Sequence, residues 1–317
     1  MGKGIRAGVC LGFGLIGLLS CGGEKDEKDV NPPGTNLHSN EQQRVKVSVI
    51  GDSISTGVLA ETQFAKTPDR NLFVKIIRFW LEDGDEANLE AEFSRPDLAA
   101  ATTTEDYGFR TTVANIEGMK VEDVEYFSAA KFGGKTSDID SMLENLSQQQ
   151  AASSQEGGSS YVLFMLGAND FCADRTQEEF SQSLQAALRK TVDRYRQSTI
   201  LVAYLPPVHQ LSQFDHEYTA RLPGGGDYGV VSCRDFQKNS CQAIFADNAE
   251  ERYQQFNEAI RQGVATVKEE NENLQMMTAE SMLTWDLKDT ELAADCFHPS
   301  SAGQRRIGGF FQEDLKP

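Results

Sequence analysis

The stretch VSVIGDSISTG, residues 47 to 57, raises the question on which the fold and the function of this chain depend. An apolar run ends at Ile50 and is followed at once by Gly51, Asp52 and Ser53. Such a run, bounded by turn residues, is typical of a buried strand. Ser53 is then either a nucleophile at the end of a strand or one residue of a polar turn. Only partners elsewhere in the chain can decide between the two.

Strand and helix patterns alternate along the rest of the chain. Apolar strand patterns lie at 45–50, 124–130, 161–166, 199–205 and 274–278. Helical patterns lie at 137–146, after a capping box at 176–179, from 248 onward and at 300–315. This alternation implies a parallel sheet with helices on both of its faces. Because ligands of such sheets bind beyond the carboxyl ends of the strands, functional motifs should directly follow strands.

A serine nucleophile needs a base, and the chain has four histidines. His298 follows Asp295 by three residues, so that the carboxylate can hold the imidazole in one tautomer and one orientation. His209 is the alternative base, although no carboxylate stands near it before Asp215. No Cys-x-x-Cys or His-rich cluster suggests a metal site.

Ester hydrolysis also needs N–H donors for the oxyanion that forms in the transition state. The segment FGGKT (132–136) follows a predicted strand, and Gly133, with Gly134 as the alternative, lets a backbone N–H approach a ligand closely. The segment LGAND (166–170) follows another predicted strand, and Asn169 can donate from its side chain. Taken alone, glycines make turns and Asn-Asp pairs cap helices.

Together these motifs occur in one order: Gly51-Asp52-Ser53, Gly133, Gly167-x-Asn169-Asp170 and Asp295-x-x-His298. They resemble the four sequence blocks of the GDSL hydrolases, also called SGNH hydrolases, over about 45–317. The segments LGANDFC and DCFHPSSAGQ look most like the phospholipase B-like branch. The resemblance implies an α/β fold, a flavodoxin-like three-layer α/β/α sandwich with a central parallel sheet.

The resemblance also implies a serine esterase or lipase that works through an acyl-enzyme. Ser53 would attack the ester carbonyl, His298 would transfer the proton, and Asp295 would orient His298. The N–H groups of Ser53 and Gly133 and the side chain of Asn169 would form the oxyanion hole. No metal and no cofactor is implied. Phospholipid and other acyl lipids are the expected substrates, and the alternatives are an O-acetylesterase for acetylated carbohydrate and a non-catalytic surface lipoprotein.

The separation between Ser53 and Gly133 is long for this family. It predicts an insertion at about 60–120, which includes an apolar helix at 71–81. We hypothesise that this insertion and the long loop region 207–247 shape the substrate pocket.

The N-terminal 43 residues differ from the rest of the chain. Residues 1–20 have a short positive start and an apolar run too short for a membrane span, as in a signal peptide. Leu-Leu-Ser-Cys resembles a bacterial lipobox and predicts lipidation of Cys21, and the polar residues 21–43 predict a flexible tether. The hydrolase domain is then 44–317, anchored in the bacterial cell envelope at the outer membrane or the periplasmic face. An ordinary signal peptide is the alternative.

Charge and cysteines bear on the partners and the compartment. The formal charge of −18 argues against a nucleic-acid partner, because phosphate binding needs clustered cations. Four cysteines follow the N-terminal segment, and an even number in an oxidising compartment predicts disulfides. Cys233 and Cys241, close together in a loop-rich region, are the expected pair, which leaves Cys172 to pair with Cys296.

Overall fold

A central sheet of five parallel strands organises the computed structural model, which describes residues 45–66, 93–153, 159–221 and 227–316. The strands in chain order are β1 (Lys46–Gly51), β2 (Glu125–Ser128), β3 (Tyr161–Met165), β4 (Thr199–Val202), β5 (Glu217–Arg221), β6 (Asp227–Ser232) and β7 (Met276–Thr278). Their order in the sheet is β2-β1-β3-β4-β7, and β5 and β6 form a separate antiparallel hairpin. The predicted α/β fold with a central parallel sheet is confirmed.

Helices flank the sheet in two groups. Those described are α1 (Ser53–Thr56), α2 (Phe109–Ile116), α3 (Ile139–Ala152), α4 (Ala168–Cys172), α5 (Gln177–Arg194), α6 (Cys233–Ser240), α7 (Ala249–Glu269) and α8 (Ser301–Asp314). Helices α3, α5 and α7 pack side by side, whereas α2 packs against α8. The strands β1 and β3 at the centre of the sheet are almost wholly buried. This burial explains the near-continuous apolar sequence of β3, whereas β1 also buries Lys46 and Ser48.

Two polar segments are more ordered than their sequences predicted. Helix α3 continues to Ala152, beyond the predicted end at 146. The reason is that Gln150 is buried and donates to the hydroxyls of Ser48 and Ser159, at 3.0 and 3.1 Å. The predicted loop region 207–247 contains the β5–β6 hairpin and α6, which begins at a Ser232–Asp235 capping box.

The described part of the predicted insertion belongs to the core. Phe109 in α2 meets Phe311 in α8 edge to face at 5.8 Å, and the Ala100 N–H donates to Gln304 Oε1 at 2.9 Å. The predicted helix at 71–81 and the N-terminal segment with Cys21 lie outside the described residues. None of the helices within the described ranges is both long enough and apolar enough to cross a membrane.

The junction between β1 and α1 leaves no room for a side chain at Gly51. A Cβ there would lie 2.0 Å from Ser55 Oγ, and Ser55 is fully buried. Gly51→Ala must therefore shift α1, and we expect it to lower the free energy of unfolding by about 1–3 kcal/mol. Labelling of Ser53 by a fluorophosphonate probe should slow as well.

Gly309→Ala is the matched control for this substitution. Gly309 is an exposed residue of α8, and a Cβ there would meet nothing within 4 Å. The same glycine-to-alanine change should stabilise the protein there by up to about 1 kcal/mol. Equal urea-unfolding midpoints for the two variants would contradict the steric account of the β1–α1 junction.

Candidate active site

Ser53 is the first residue of α1 and follows β1 by two residues. Asp52 is the N-cap of this short helix, and its Oδ1 accepts a hydrogen bond from the Ile54 N–H at 2.9 Å. The cap fixes the direction in which the chain leaves the strand. Ser53 thereby lies beyond the carboxyl end of a central strand, with 5% of its surface exposed.

The structure brings three of the predicted residues together. His298 Nε2 lies 2.9 Å from Ser53 Oγ, and His298 Nδ1 lies 2.6 Å from Asp295 Oδ2. Asp295 is fully buried and His298 is 2% exposed. A carboxylate at Nδ1 favours the tautomer with its proton there, which leaves Nε2 free to accept the proton of the serine hydroxyl.

A tight turn holds Asp295 against His298. The second carboxylate oxygen of Asp295 accepts from the backbone N–H groups of Phe297 and His298, at 3.1 and 3.0 Å. The Ala293 N–H donates to the His298 carbonyl at 2.8 Å, which closes the turn. Asp-x-x-His can therefore form a rigid pair within one turn of irregular chain.

The predicted oxyanion residues lie on two neighbouring loops. The side-chain amide of Asn169 donates to the Gly134 carbonyl at 3.1 Å and approaches Asp52 Oδ2 at 3.4 Å. Gly133 has a φ of 65°, which favours glycine. Among the described residues, neither Ser53 nor Gly133 donates its backbone N–H to an acceptor. Both N–H groups are thus available to a ligand. Asn169 also links Asp52 to the loop of residues 132–136, which we call the glycine loop.

Sequence reasoning missed the contacts that join the glycine loop to α4. Asp170 is fully buried, and it accepts from both the N–H and the hydroxyl of Thr136 at 2.9 Å. Arg175 lies 2.8 Å from the same carboxylate and compensates its charge. The glycine block and the Asn-Asp pair are both visible in the sequence, but nothing there indicates that Thr136 bridges them.

Gln304 is a second residue that sequence reasoning missed. It is fully buried, donates to the Ile54 carbonyl at 2.9 Å and accepts from the Ala100 N–H. It therefore holds the helix that carries Ser53. A signal was present, because Gln304 lies one helical turn after Ser300 in the same sequence block as His298.

The other described histidines lie apart from Ser53. His209, the alternative base, packs on Tyr253 with ring centroids 4.2 Å apart. His216 contacts Tyr218 edge to face at 4.7 Å. Within the described part of the chain, no group of three or more His, Cys, Asp or Glu side chains is placed to hold a metal ion.

A known protein family matches the part of the chain that carries these residues. The sequence model of the GDSL-like lipase/acylhydrolase family matches residues 47–309, from β1 into α8. The chain belongs to this family. The match covers both the Ser53 segment and the turn of Asp295 and His298, and the family resemblance of these blocks is confirmed.

Solved structures similar to this GDSL hydrolase include esterases of several kinds. A lipase/acylhydrolase from Enterococcus faecalis is 15% identical with a TM-score of 0.46, and the match covers 86% of this chain and 95% of that one. A family 3 carbohydrate esterase from Clostridium thermocellum is 12% identical with a TM-score of 0.48, covering 85% and 94%. The psychrotrophic esterase EstA from Pseudoalteromonas sp. is 13% identical with a TM-score of 0.41, covering 85% and 96%. No curated protein matches the chain.

The disulfides of this GDSL hydrolase differ from the predicted pairs. The bonds are Cys172–Cys241 and Cys233–Cys296, with Cα–Cα distances of 4.4 and 5.4 Å. The prediction of Cys233–Cys241 was wrong because α6 lies between these residues. Eight residues of helix span about 12 Å, whereas a disulfide needs Cα atoms within about 7 Å.

The two disulfides connect α6 to two parts of the candidate site. Cys233, the first residue of α6, is bonded to Cys296 in the turn of Asp295 and His298. Cys241, directly after α6, is bonded to Cys172 at the end of α4, the helix that carries Asn169. Gln237, within α6, also donates to the Cys296 carbonyl at 3.0 Å. Helix α6 therefore holds two loops that belong to different strands of the sheet.

Removing the Cys233–Cys296 bond should loosen the turn that carries His298. We expect the double variant Cys233→Ser/Cys296→Ser to lose about 2–4 kcal/mol of unfolding free energy and to react more slowly with a fluorophosphonate. Peptide mapping without reduction should recover Cys172 linked to Cys241 in the same variant. A peptide with Cys233 linked to Cys241 in the wild type would contradict the pairing.

Asp52 should make stability depend on pH. Burial raises the pKa of Asp52 to about 7, although the Ile54 N–H and His298 lower it. An unfolded aspartate has a pKa near 3.9, so the stabilising contribution of protonated Asp52 is present below about pH 4 and is lost as pH rises through 7.

Asp52→Asn keeps the acceptor for the Ile54 N–H and removes this titration. The free energy of unfolding of Asp52→Asn, relative to wild type, should therefore rise between pH 4 and pH 8 by an amount on the order of 1 kcal/mol or more. Urea titrations at several pH values measure this difference. A difference that stays constant across the range would mean that Asp52 is not a buried titrating group.

Proposed function

We propose that this GDSL hydrolase cleaves carboxylic esters through an acyl-enzyme on Ser53. One observation carries the proposal: a single imidazole lies between a serine hydroxyl, at 2.9 Å, and a buried carboxylate, at 2.6 Å. This is the geometry in which a histidine can act as general base toward a nucleophile while a carboxylate orients it.

In the first half-reaction Ser53 Oγ attacks the ester carbonyl and its proton passes to His298 Nε2. Asp295 stays ionised and stabilises the imidazolium that forms. When the tetrahedral intermediate collapses, the bond to the alcohol oxygen breaks and His298 returns the proton to the leaving alcohol. A water molecule then attacks the acyl-enzyme by the same route, which releases the acid and restores Ser53.

The oxyanion of the tetrahedral intermediate would be held by three donors. The Ser53 and Gly133 N–H groups are the backbone donors, and Asn169 supplies a side-chain N–H. The contact of Asn169 with Asp52, at 3.4 Å, is longer than its bond to the Gly134 carbonyl, at 3.1 Å. We propose that the oxyanion replaces Asp52 as the partner of that hydrogen.

Substitutions in the triad separate this mechanism from a binding role. Ser53→Ala should lower kcat for a p-nitrophenyl ester by about 10⁴-fold or more, and Asp295→Asn by about 10⁴-fold because it favours the wrong tautomer of His298. His209→Asn is the control, because the His209 ring packs on Tyr253, with centroids 4.2 Å apart, and does not contact Ser53. If Ser53→Ala kept wild-type kcat, the acyl-enzyme mechanism would be rejected.

Half-buried aromatic side chains favour an apolar acyl group over acetate. The rings of Phe297 and Phe132 lie with centroids 5.2 and 6.1 Å from that of His298. Phe64 packs against Phe214 at 6.0 Å and bonds through its N–H to the Leu292 carbonyl near the same turn. Apolar surface beside the nucleophile stabilises an alkyl chain by about 25 cal/mol per Å² buried.

The acyl preference can be measured as a ratio. We expect kcat/KM for p-nitrophenyl octanoate to exceed that for the acetate. Phe297→Ala should lower this ratio about tenfold, since an aromatic contact contributes about 1–1.5 kcal/mol. The ratio cancels any general loss of catalysis. Phe245→Ala, a half-buried ring that lies beside Arg234 and Lys238, is the matched control. A preference for the acetate would favour the alternative, an O-acetylesterase for acetylated carbohydrate.

We also propose that the enzyme works at the cell envelope, anchored by a lipid on Cys21. The lipobox-like Leu-Leu-Ser-Cys and the polar tether at 21–43 support this placement. An apolar acyl substrate would then lie within reach of the tethered domain.

A further inference from the structure

Arg252, near the start of α7, is a charged residue whose side chain is only 12% exposed. Its guanidinium reaches from α7 to the end of α4 and the segment that follows it. Nη2 donates to the Phe171 carbonyl at 2.9 Å and to the Arg175 carbonyl at 2.8 Å, and Nη1 donates to the carboxylate of Asp174. Because a guanidinium presents its donors in fixed directions within one plane, this side chain holds three points of the segment at once.

The guanidinium also lies on two phenylalanine rings that belong to the core. Its Cζ is 4.9 Å from the ring centroid of Phe171 and 5.4 Å from that of Phe256. Both rings are fully buried, and they meet edge to face at 5.5 Å. A cation is attracted to the face of an aromatic ring, most strongly where water is excluded. The core beneath Arg252 therefore sets the orientation of its donors.

Residues 173–176, which connect α4 to α5, include a backbone conformation that needs support. Asp174 has a φ of 57°, in the left-handed region that few residues other than glycine adopt. Such a residue persists where the surrounding contacts hold it. Arg252 supplies contacts on both sides of Asp174, at Phe171 and at Arg175, as well as to its carboxylate.

The direction of Asn169 depends on what holds α4. This helix has only five residues, and so short a helix gains little stability from its own hydrogen bonds. Arg252 bonds to Phe171, two residues beyond Asn169, and also to the carbonyl of Arg175. Arg175 in turn returns to α4, since its guanidinium lies 2.8 Å from the Asp170 carboxylate. The contacts of Arg252 thus reach the residues on both sides of the connection that follows Asn169.

The glycine loop has an anchor of its own. Although Thr136 bonds to α4, the Lys131 N–H donates to the Gly51 carbonyl at 3.2 Å, which ties the start of this loop to β1. A shift of α4 should therefore displace Asn169 more than Gly133.

We propose that Arg252 is a positioning residue of the reaction, which fixes α4 so that the side-chain amide of Asn169 points at the oxyanion. The inference rests on the proposed function, in which Asn169 is an oxyanion donor. The stabilisation that such a donor provides depends on its distance and direction, so that a small displacement is costly. Because the oxyanion forms only after Ser53 attacks, Arg252 should affect kcat more than KM.

A double-mutant cycle between Arg252 and Asn169 tests this inference. Arg252→Lys keeps the charge but lacks the planar fork, and we expect kcat for p-nitrophenyl butyrate to fall about tenfold while KM changes by less than about twofold. Asn169→Ala alone should lower kcat by about 10²-fold or more. In the Asn169→Ala protein, Arg252→Lys should lower kcat by no more than about twofold, because no side-chain donor is left to direct.

A second variant and a matched control complete the test. Arg252→Gln removes the charge as well and should show the same dependence on Asn169. Arg261→Lys is the control, because Arg261 also lies on α7 but pairs with Glu258 of the same helix, at 2.7 Å, and it should leave kcat unchanged. Urea unfolding identifies a variant that does not fold, and the other Arg252 variant then decides.

Two failures can be told apart. An equal loss of kcat with and without Asn169, or wild-type kcat in both Arg252 variants, would overturn the role of Arg252 and leave the mechanism at Ser53 standing. Wild-type kcat in Asn169→Ala would instead remove Asn169 from the oxyanion hole, and the inference about Arg252 would fall with it.

Discussion

The hydrogen bond between His298 Nε2 and Ser53 Oγ joins residues 245 positions apart, and the rest of the candidate site is arranged around it. For two atoms so far apart in the sequence to lie 2.9 Å from each other, the loop that carries Ser53 and the loop that carries His298 must each be held in place. The parallel sheet supplies the frame, because the carboxyl ends of its strands all face one edge. Ser53 follows β1, whereas His298 belongs to the long segment between β7 and α8.

Buried polar contacts hold these loops in place, in addition to apolar packing. Asp295 is held by two backbone N–H groups as well as by the imidazole. Gln304 holds α1 by donating to the Ile54 carbonyl. Asp170 and Thr136 link the glycine loop to α4. Each of these groups is buried, so losing one partner would leave another unsatisfied, which is costly. The two disulfides add covalent links from α6 to the same loops.

The sequence predicts structure that depends on residues near one another in the chain better than it predicts contacts between distant segments. The central strand β3 was predictable because burial on both faces leaves a near-continuous apolar run, and β1 because its pattern alternates and then becomes apolar before Gly51. The parallel α/β sheet followed from the alternation of strand and helix patterns, and the family from short motifs in a fixed order. Thr136 was not predictable, because a side-chain bond between distant segments leaves no periodic signal. For Gln304 the one signal was its place a helical turn after Ser300, in the sequence block of His298. The disulfides were predicted wrongly, because closeness in sequence between Cys233 and Cys241 was taken for closeness in space, and α6 separates them.

The proposed mechanism requires a covalent acyl-enzyme on Ser53, and this intermediate can be trapped. The wild-type protein would be mixed rapidly with p-nitrophenyl butyrate, quenched in acid during the first turnover, and digested for peptide mass spectrometry. We expect a burst of p-nitrophenol and a single butyryl group on the peptide that contains Ser53. Turnover of the ester with the butyryl group on another residue, or with no acylated peptide and no burst, would rule out Ser53 as the nucleophile.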